Sequence, residues 1–372
     1  MIRKKMGIFV VAFFLSTFAS NLQATETLTN IEIEQIKLFE KAIQENSEIA
    51  TITSWFGSPE DLVKRYNAGK KEAESVWNKN QAAIQKVKEL GTTQTLEVLP
   101  LIDWHTSNEQ LTGEPGVSYL IKTDQSTILF DVGLNSKRID TSPLLHNMKH
   151  LAVTIDAIDT IVISHNHRDH VGGRIWSENM TFSLGDEQID LGKKKVFTPI
   201  PMTYPGQSPV CTENPTKISA GVTTTGVIAN QLFFGGLITE QAIAVNVLGK
   251  GIVLIVGCGH QGLDKLLKRA EVLFDTPVYG LIGGLHYPVT DSRLMIWGVK
   301  VQKYFVTGKT PWDSITLKDV RNNINLLKKR KPEIVALSAH DSCDASIEEF
   351  RKSFGVNYRD VKVGEAIVVG SR

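Results

Sequence analysis

The feature that most constrains this chain is a short apolar run, Ile161, Val162 and Ile163, that leads straight into Ser164, His165, Asn166, His167, Arg168, Asp169 and His170, with Gly172 and Gly173 close behind. Imidazole and carboxylate are the usual ligands of zinc, iron and manganese, and a turn after a strand fans closely spaced side chains toward two adjacent ions. The glycines let the backbone bend tightly after the last ligand. The chain has only nine histidines, so three of them clustered around one aspartate are poorly explained as a solvated polar loop. The fold must therefore present a strand end at which these side chains converge.

The rest of the chain is read outward from that point. Residues 25–94 read as a helical extension, with Ile36, Phe39 and Ile43 at helical spacing and Val76, Ile84 and Val87 approximately so. Ser58, Pro59 and Asp61 make a helix start. From Thr95 the pattern changes to short β-rich runs: Leu96 to Leu101, Ser118 to Ile121, Thr127 to Phe130, and Thr160 to Ile163 after a helix over 142–151. Further strands are expected at Ala242 to Val247, Ile252 to Val256, Val278 to Ile282, Ile334 to Leu337 and Ala366 to Val369, with helices at Leu263 to Leu273 and Leu317 to Lys329. Thr316 and Asp319 supply a capping box for the second helix. This order suggests an α/β fold of two packed mixed sheets covered by helices. Residues 290–312 read as an insertion, either a lid over the site or a surface elaboration.

The run His165, His167, Asp169, His170 resembles the hallmark of the metallo-β-lactamase superfamily, and the likeness extends over much of residues 96–370. It implies the αββα sandwich of that superfamily over 95–372. It also implies that His165 and His167 serve a first metal, that Asp169 and His170 serve a second, and that Asp131, in Phe130, Asp131, Val132, Gly133, supports the metal loop without binding metal. The segments Gly257 to Gly262, Gly283 to His286, Gly116 to Ile121 and Gly221 to Gly226 are similar to a branch named for 7,8-dihydropterin-6-methyl-4-(ribofuranosyl)aminobenzene 5'-phosphate synthases. The superfamily spans β-lactamases, glyoxalase II, ribonuclease Z, lactonases and redox enzymes, so the fold alone names no substrate.

Two departures from that pattern bear on the second metal. Cys258 stands in the slot of the usual bridging Asp, and no histidine occupies the ligand slot near Glu240. The branch's terminal His, Cys, Thr, Gly is here His340, Asp341, Ser342, Cys343. His260 and His340, each following a predicted strand end, are the expected downstream metal ligands, and His286 is a reserve ligand or an acid–base group. His105 and the pair His146 and His150 read as surface residues.

The N-terminus has Arg3, Lys4 and Lys5, an apolar run from Ile8 to Ala19, and a small residue at Ala24. Residues 1–24 are therefore expected to be a secretory signal peptide, the run being short of the roughly 20 residues that span a bilayer. That predicts export across the inner membrane to the periplasm, with no stable membrane insertion after cleavage. Three cysteines are too few for a disulfide scaffold. With 41 Lys plus Arg against 40 Asp plus Glu, charge gives no reason to expect a nucleic-acid partner. The oligomeric state is not legible. The expected function is metal-dependent hydrolysis of a small-molecule ester, lactone, amide or phosphoester. One or two divalent ions, zinc foremost with iron or manganese as alternatives, would activate the attacking hydroxide, with Asp169 and His286 as catalytic groups. The alternatives are a dihydropterin-type C–N bond-forming transferase on the same centre, and a non-catalytic metal-stabilised envelope binding protein.

Overall fold

A computed structural model describes residues 28–139, 141–305 and 307–370. The expected signal peptide lies outside the described residues. The helices in chain order are α1 (Asn30–Glu45), α2 (Ser47–Phe56), α3 (Pro59–Ala83), α4 (Pro143–His150), α5 (Arg174–Glu178), α6 (Leu263–Leu273), α7 (Val301–Phe305), α8 (Leu317–Lys328) and α9 (Asp344–Phe354). None of them is long and apolar enough to cross a membrane.

Most of the described strands form two mixed sheets, with two small two-stranded sheets beside them. The seven-stranded sheet runs Ile367–Gly370, Thr95–Ile102, Ser118–Thr123, Thr127–Phe130, Thr160–Val162, Lys195–Thr198, Val210–Cys211. The six-stranded sheet runs Ile334–Leu337, Val278–Gly283, Gly251–Val256, Ile243–Val247, Val222–Thr224, Lys217–Ser219. The two-residue side-chain period of each strand sorts its residues between layers. Ile121, Ile128, Phe130 and Val162 meet Ile243, Val253, Ile255 and Ile282 between the sheets. Leu120, Leu129 and Ile161 instead pack outward against Leu144 and Met148 of α4. On the far side, Leu254, Leu281 and Leu337 are covered by Leu266, Val320, Ile324 and Phe350 of α6, α8 and α9. Helices thus lie on both outer faces of the paired sheets, the αββα arrangement.

Burial on both faces explains why several strands read as continuous apolar runs. Thr127–Phe130 pairs in parallel with Thr160–Val162, and Gly251–Val256, Val278–Gly283 and Ile334–Leu337 pair in parallel in the other sheet. The carboxyl ends of these five strands lead to Asp131, Ser164, Cys258, His286 and His340 respectively. Strand direction alone therefore gathers these loops at one edge, the usual place for a site in such sheets.

The N-terminal helices form a fourth cluster, with Phe39, Ile52 and Val63 packed on Phe233 and Phe234, and on Val299, Tyr304 and Phe305. Phe233 and Phe234 sit in the turn of a hairpin, Ile228–Leu232 with Gly236–Glu240, that periodicity did not predict. The caps at Ser58 and Thr316 are formed as expected. The third helix stops at Ala83, short of Val87, because Val87 N–H donates to the Leu273 carbonyl (3.0 Å) and the chain extends along α6.

Candidate metal centre

The loop after Thr160–Val162 is shaped by Asp131. Its Oδ1 accepts from Ser164 N–H (2.7 Å), and its Oδ2 accepts from Ser164 Oγ (2.7 Å) and faces His170 Nδ1 at 2.7 Å. Asp131 is fully buried at φ +61°, a left-handed conformation that Asp tolerates better than most residues. Gly172, at φ +86°, has no side-chain room: a Cβ would lie 2.0 Å from the Ser183 carbonyl oxygen.

A second carboxylate does the same work across the site. Asp103 is fully buried and accepts from Tyr119 OH (2.9 Å), Ser338 Oγ (2.6 Å) and Trp104 N–H (2.7 Å). Ser338 Oγ in turn lies 2.6 Å from His340 Nδ1. Each support holds one ring nitrogen of its histidine and so aims the other, as outer partners of metal-ligating histidines commonly do. Accordingly Nε2 of His170 and Nε2 of His340 are buried with no hydrogen-bond partner, and so is Nε2 of His165.

A third carboxylate, Glu240, organises the turn carrying Cys258 and His260. Its Oε1 accepts from the N–H groups of Cys258 and Gly259 (2.9 Å each) and its Oε2 from that of His260 (2.7 Å). Asn230 adds a bond from Nδ2 to the His260 carbonyl at 2.6 Å. Gly259, at φ +76°, passes so close to the next loop that a Cβ would sit 2.7 Å from the Gly284 carbonyl oxygen. In that loop His286 has φ +58°, and its N–H donates to Asp341 Oδ2 at 2.8 Å.

These loops bring donors together in three overlapping groups, each with its donor atoms within 4.8 Å of one another: Asp169, His170, Cys258 and His340; His165, Cys258 and His260; and Cys258, His286 and Asp341. His167 adjoins the second group, with Nδ1 3.1 Å from His260 Nε2 and its ring centroid 4.6 Å from that of His165. Every sequence-derived candidate, His165, His167, Asp169, His170, His260, His286 and His340, thus lies at one edge of the sandwich. Cys258 is common to all three groups. The sequence presented it as a missing bridging carboxylate, but its Sγ occupies the middle of the donor set, 3.3 Å from His286 Nδ1.

The electrostatics suit a cation. Burial holds His165 and His340 well below the usual imidazole range, His167 at about 4 and His286 at about 3, so all four are neutral donors near pH 7. Burial also opposes charge on His170, but Asp131 and Asp169 outweigh it and raise that imidazole to about 9. Metal binding there would release a proton. Asp169 is lowered despite burial, because His170, His167 and His340 surround it. Burial keeps the Cys258 thiol far above its usual range, and so do Asp341 and Asp169; a bound divalent ion reverses that balance, since a coordinating thiol is deprotonated outright. Three orphaned buried Nε2 atoms, a thiol and carboxylates at such spacing fit one or two divalent ions.

The 290–312 segment reaches the centre through Gln302 of α7. The Gln302 Oε1 accepts from Arg293 N–H (2.8 Å), Leu294 N–H (3.1 Å) and Ser292 Oγ (3.2 Å), while its Nε2 donates to the His340 carbonyl at 2.9 Å. Its own carbonyl lies 3.4 Å from His286 Nε2. The segment is thus a strap across the site, clamped from outside by α1 and α2. Asp103, Asn230 and Gln302 stand in no ligand-type motif, and Glu240, beside a ligand slot that lacks histidine, carries no local sign of its role. Asp103 was within view beside His105, which proves to be half-exposed with Nε2 3.7 Å from Asp344 Oδ1. His146 and His150 are also on the surface.

Residues 111–174 match the family model of the metallo-beta-lactamase superfamily. Over 256 residues the chain is 23% identical to a 7,8-dihydropterin-6-methyl-4-(beta-D-ribofuranosyl)-aminobenzene-5'-phosphate synthase of Methanocaldococcus jannaschii, covering 58% of this chain and 85% of that protein. It is 24% identical over 231 residues to an uncharacterised protein of the same organism, covering 52% and 81%. Among solved structures it is similar to a metal-dependent hydrolase of the beta-lactamase superfamily, with TM-score 0.50 and 18% identity over 74% of this chain and 100% of that one.

Proposed function

Taking the chain as a protein of the metallo-beta-lactamase superfamily, we propose that it is an exported metal-dependent hydrolase of a small ester, lactone, amide or phosphoester. The observation that carries this reading is the convergence of the unpartnered Nε2 atoms of His165, His170 and His340 with Asp169 and Cys258 at the strand ends. When bound, one or two divalent ions, zinc foremost, supply a Lewis acid and bring the pKa of a coordinated water toward neutrality.

The chain's own residues do the remaining work. His165, His167 and His260 form one flank of the donor set and Asp169, His170 and His340 the other, with Cys258 between them. Asp131, Asp103 and Glu240 hold those donors in place before substrate arrives, so little reorganisation is left for the reaction itself. Asp169, kept ionised by the imidazoles around it, orients the nucleophile. His286, a neutral imidazole between Cys258 Sγ and the Gln302 carbonyl, is the acid–base group of this reading. The strap ties the His340 and His286 loops together through Gln302.

Zinc-loaded mature protein is expected to turn over chromogenic esters or phosphodiesters, and His167→Ala or a chelator to abolish that turnover. Activity that survives both treatments would refute the proposal. Export rests on residues 1–24 and is tested by fractionation and N-terminal sequencing, with cleavage after Ala24 expected.

A second reading draws on the similarity to the archaeal synthase: the same centre activates a pterin-like electrophile for C–N bond formation. Saturable binding of a reduced pterin is its test, and absence of binding removes it.

A further inference from the structure

A cavity of about 250 Å³ opens beside His260 and His286, between the first turn of α6, the 307–315 segment and the first turns of α8. At about 30 Å³ per water it has room for roughly eight waters, the size of one ring with small substituents. We infer that this cavity binds the part of the substrate remote from the reacting bond, and that this part is an uncharged, ring-sized group carrying amide-type donors and acceptors. The inference rests on the hydrolase reading and names its substrate class.

Away from the donor set, the cavity's own side chains give an anionic group no free cation. Among the described residues lining the cavity, Lys309 is the one lysine or arginine. Its Nζ is already 3.3 Å from Asp313 Oδ2 and 3.3 Å from Asp319 Oδ1. A carboxylate or phosphate in the cavity would meet a cation neutralised twice over and the Asp319 carboxylate besides. Tight anion sites instead offer an uncommitted guanidinium or ammonium.

Polarity decides against a plain hydrocarbon group. Leu263, Leu285 and Ile315 give the cavity apolar walls suited to a ring face, while Asn230, Asn322 and Asn323 bring three carboxamides to it. Asn230 spends Nδ2 on the His260 carbonyl, which leaves its own oxygen as acceptor. Asn322 is exposed and Asn323 partly exposed on α8, so their amide groups face solvent at the cavity and stay open to a ligand. A carboxamide both donates and accepts, so its natural complement is another amide or a ring edge of the same kind. An apolar group would strip water from these carboxamides and return nothing, and pockets built to hydrogen-bond their ligand reject such analogues strongly. Asn230 also joins the pocket to the centre, because the residue facing the cavity is the one that anchors the His260 turn.

The test is a ligand-observed saturation-transfer titration of zinc-loaded mature protein with three rings of similar size: dihydrouracil as the neutral cyclic amide, benzoate as the anion and cyclohexanone as the neutral ring without an amide. Dihydrouracil is expected to bind saturably and at least tenfold more tightly than the other two. The double variant Asn322→Leu/Asn323→Leu is expected to erase that preference without moving the thermal midpoint; should the midpoint fall, the near-isosteric Asn323→Asp is expected to weaken dihydrouracil alone. Equal or tighter binding of benzoate or cyclohexanone, binding of no ring, or an affinity for dihydrouracil indifferent to these variants overturns the inference. Failure of the hydrolase reading leaves a different mark: no ester is turned over, yet dihydrouracil binding persists and remains sensitive to Asn323, a result that supports the pocket.

Discussion

Asp131 and His170 form a fully buried pair, with the Asp131 Oδ2 2.7 Å from His170 Nδ1. Because the same carboxylate also accepts both polar hydrogens of Ser164, one side chain fixes where the metal loop begins and which nitrogen of its last histidine points inward. Asp131→Asn keeps the shape and the tolerance of a positive φ but cannot accept at both positions as a carboxylate does. Outer supports of this kind are worth about 10- to 100-fold in metal affinity. Zinc competition with a chromophoric chelator is expected to show a loss in that range for Asp131→Asn, and unchanged affinity would remove the role assigned to Asp131.

Cys258 stands in all three donor groups. Cobalt-substituted protein is expected to show a thiolate-to-metal charge-transfer absorption that Cys258→Ser abolishes, together with a fall in bound metal per chain. A spectrum free of that band would place the thiol outside the coordination sphere and return Cys258 to the role of a small buried side chain.

Gln302 is the polar rivet of the strap. In Gln302→Leu the N–H groups of Arg293 and Leu294 lose their acceptor and the His340 carbonyl loses its donor. A buried polar group left unsatisfied costs about 1–3 kcal/mol. A lower thermal midpoint and a lower kcat are expected together. Gln302→Glu retains the acceptor but sets a buried carboxylate against the His340 carbonyl, so its midpoint is expected to recover only as pH falls and the carboxyl protonates.

The N-terminal helices are integral to the strap. Phe39 is fully buried, with its ring centroid 5.1 Å from that of Phe233 and 5.5 Å from that of Trp312. Phe39→Ala is expected to cost about 3–5 kcal/mol, as for other large-to-small core substitutions, and to speed proteolysis of both the 30–83 and the 290–312 segments. Accelerated cleavage confined to the first of these would show that the helices do not hold the strap.

Glu114, outside the donor set but within the field of Asp169, gives a pH signature of its own. Burial raises its carboxyl above the usual range even though Oε1 accepts from Leu134 N–H (2.7 Å) and Asn135 N–H (3.2 Å). With the folded value above the unfolded one, ionisation costs stability. That cost is absent below the unfolded value and grows as pH rises through the folded one. Glu114→Gln keeps the acceptor and removes the charge, so its thermal midpoint relative to the parent should be higher at pH 7 than at pH 4. A difference independent of pH would contradict this.

Most of the strands from Thr95 onward, the caps at Ser58 and Thr316, and the loop that holds His165, His167, Asp169 and His170 are legible in the residue order, because they depend on local periodicity and on residue types adjacent in the chain. Strand ends likewise mark His260 and His340. The hairpin at 228–240 was illegible because Ala229, Asn230 and Gln231 interrupt the apolar alternation, and its residues are ordered by packing on the N-terminal helices. The place of Cys258 among the donors emerges only from the packing of the two sheets. In sequence it occupies a slot where a carboxylate was expected; in space, the parallel strands of both sheets bring the three donor groups together around its sulfur. The same holds for Asp103, 235 residues from Ser338, and for Glu240, Asn230 and Gln302. Their roles come from hydrogen bonds that close across the sandwich, and no local pattern encodes a partner that only the packing of two sheets brings within reach.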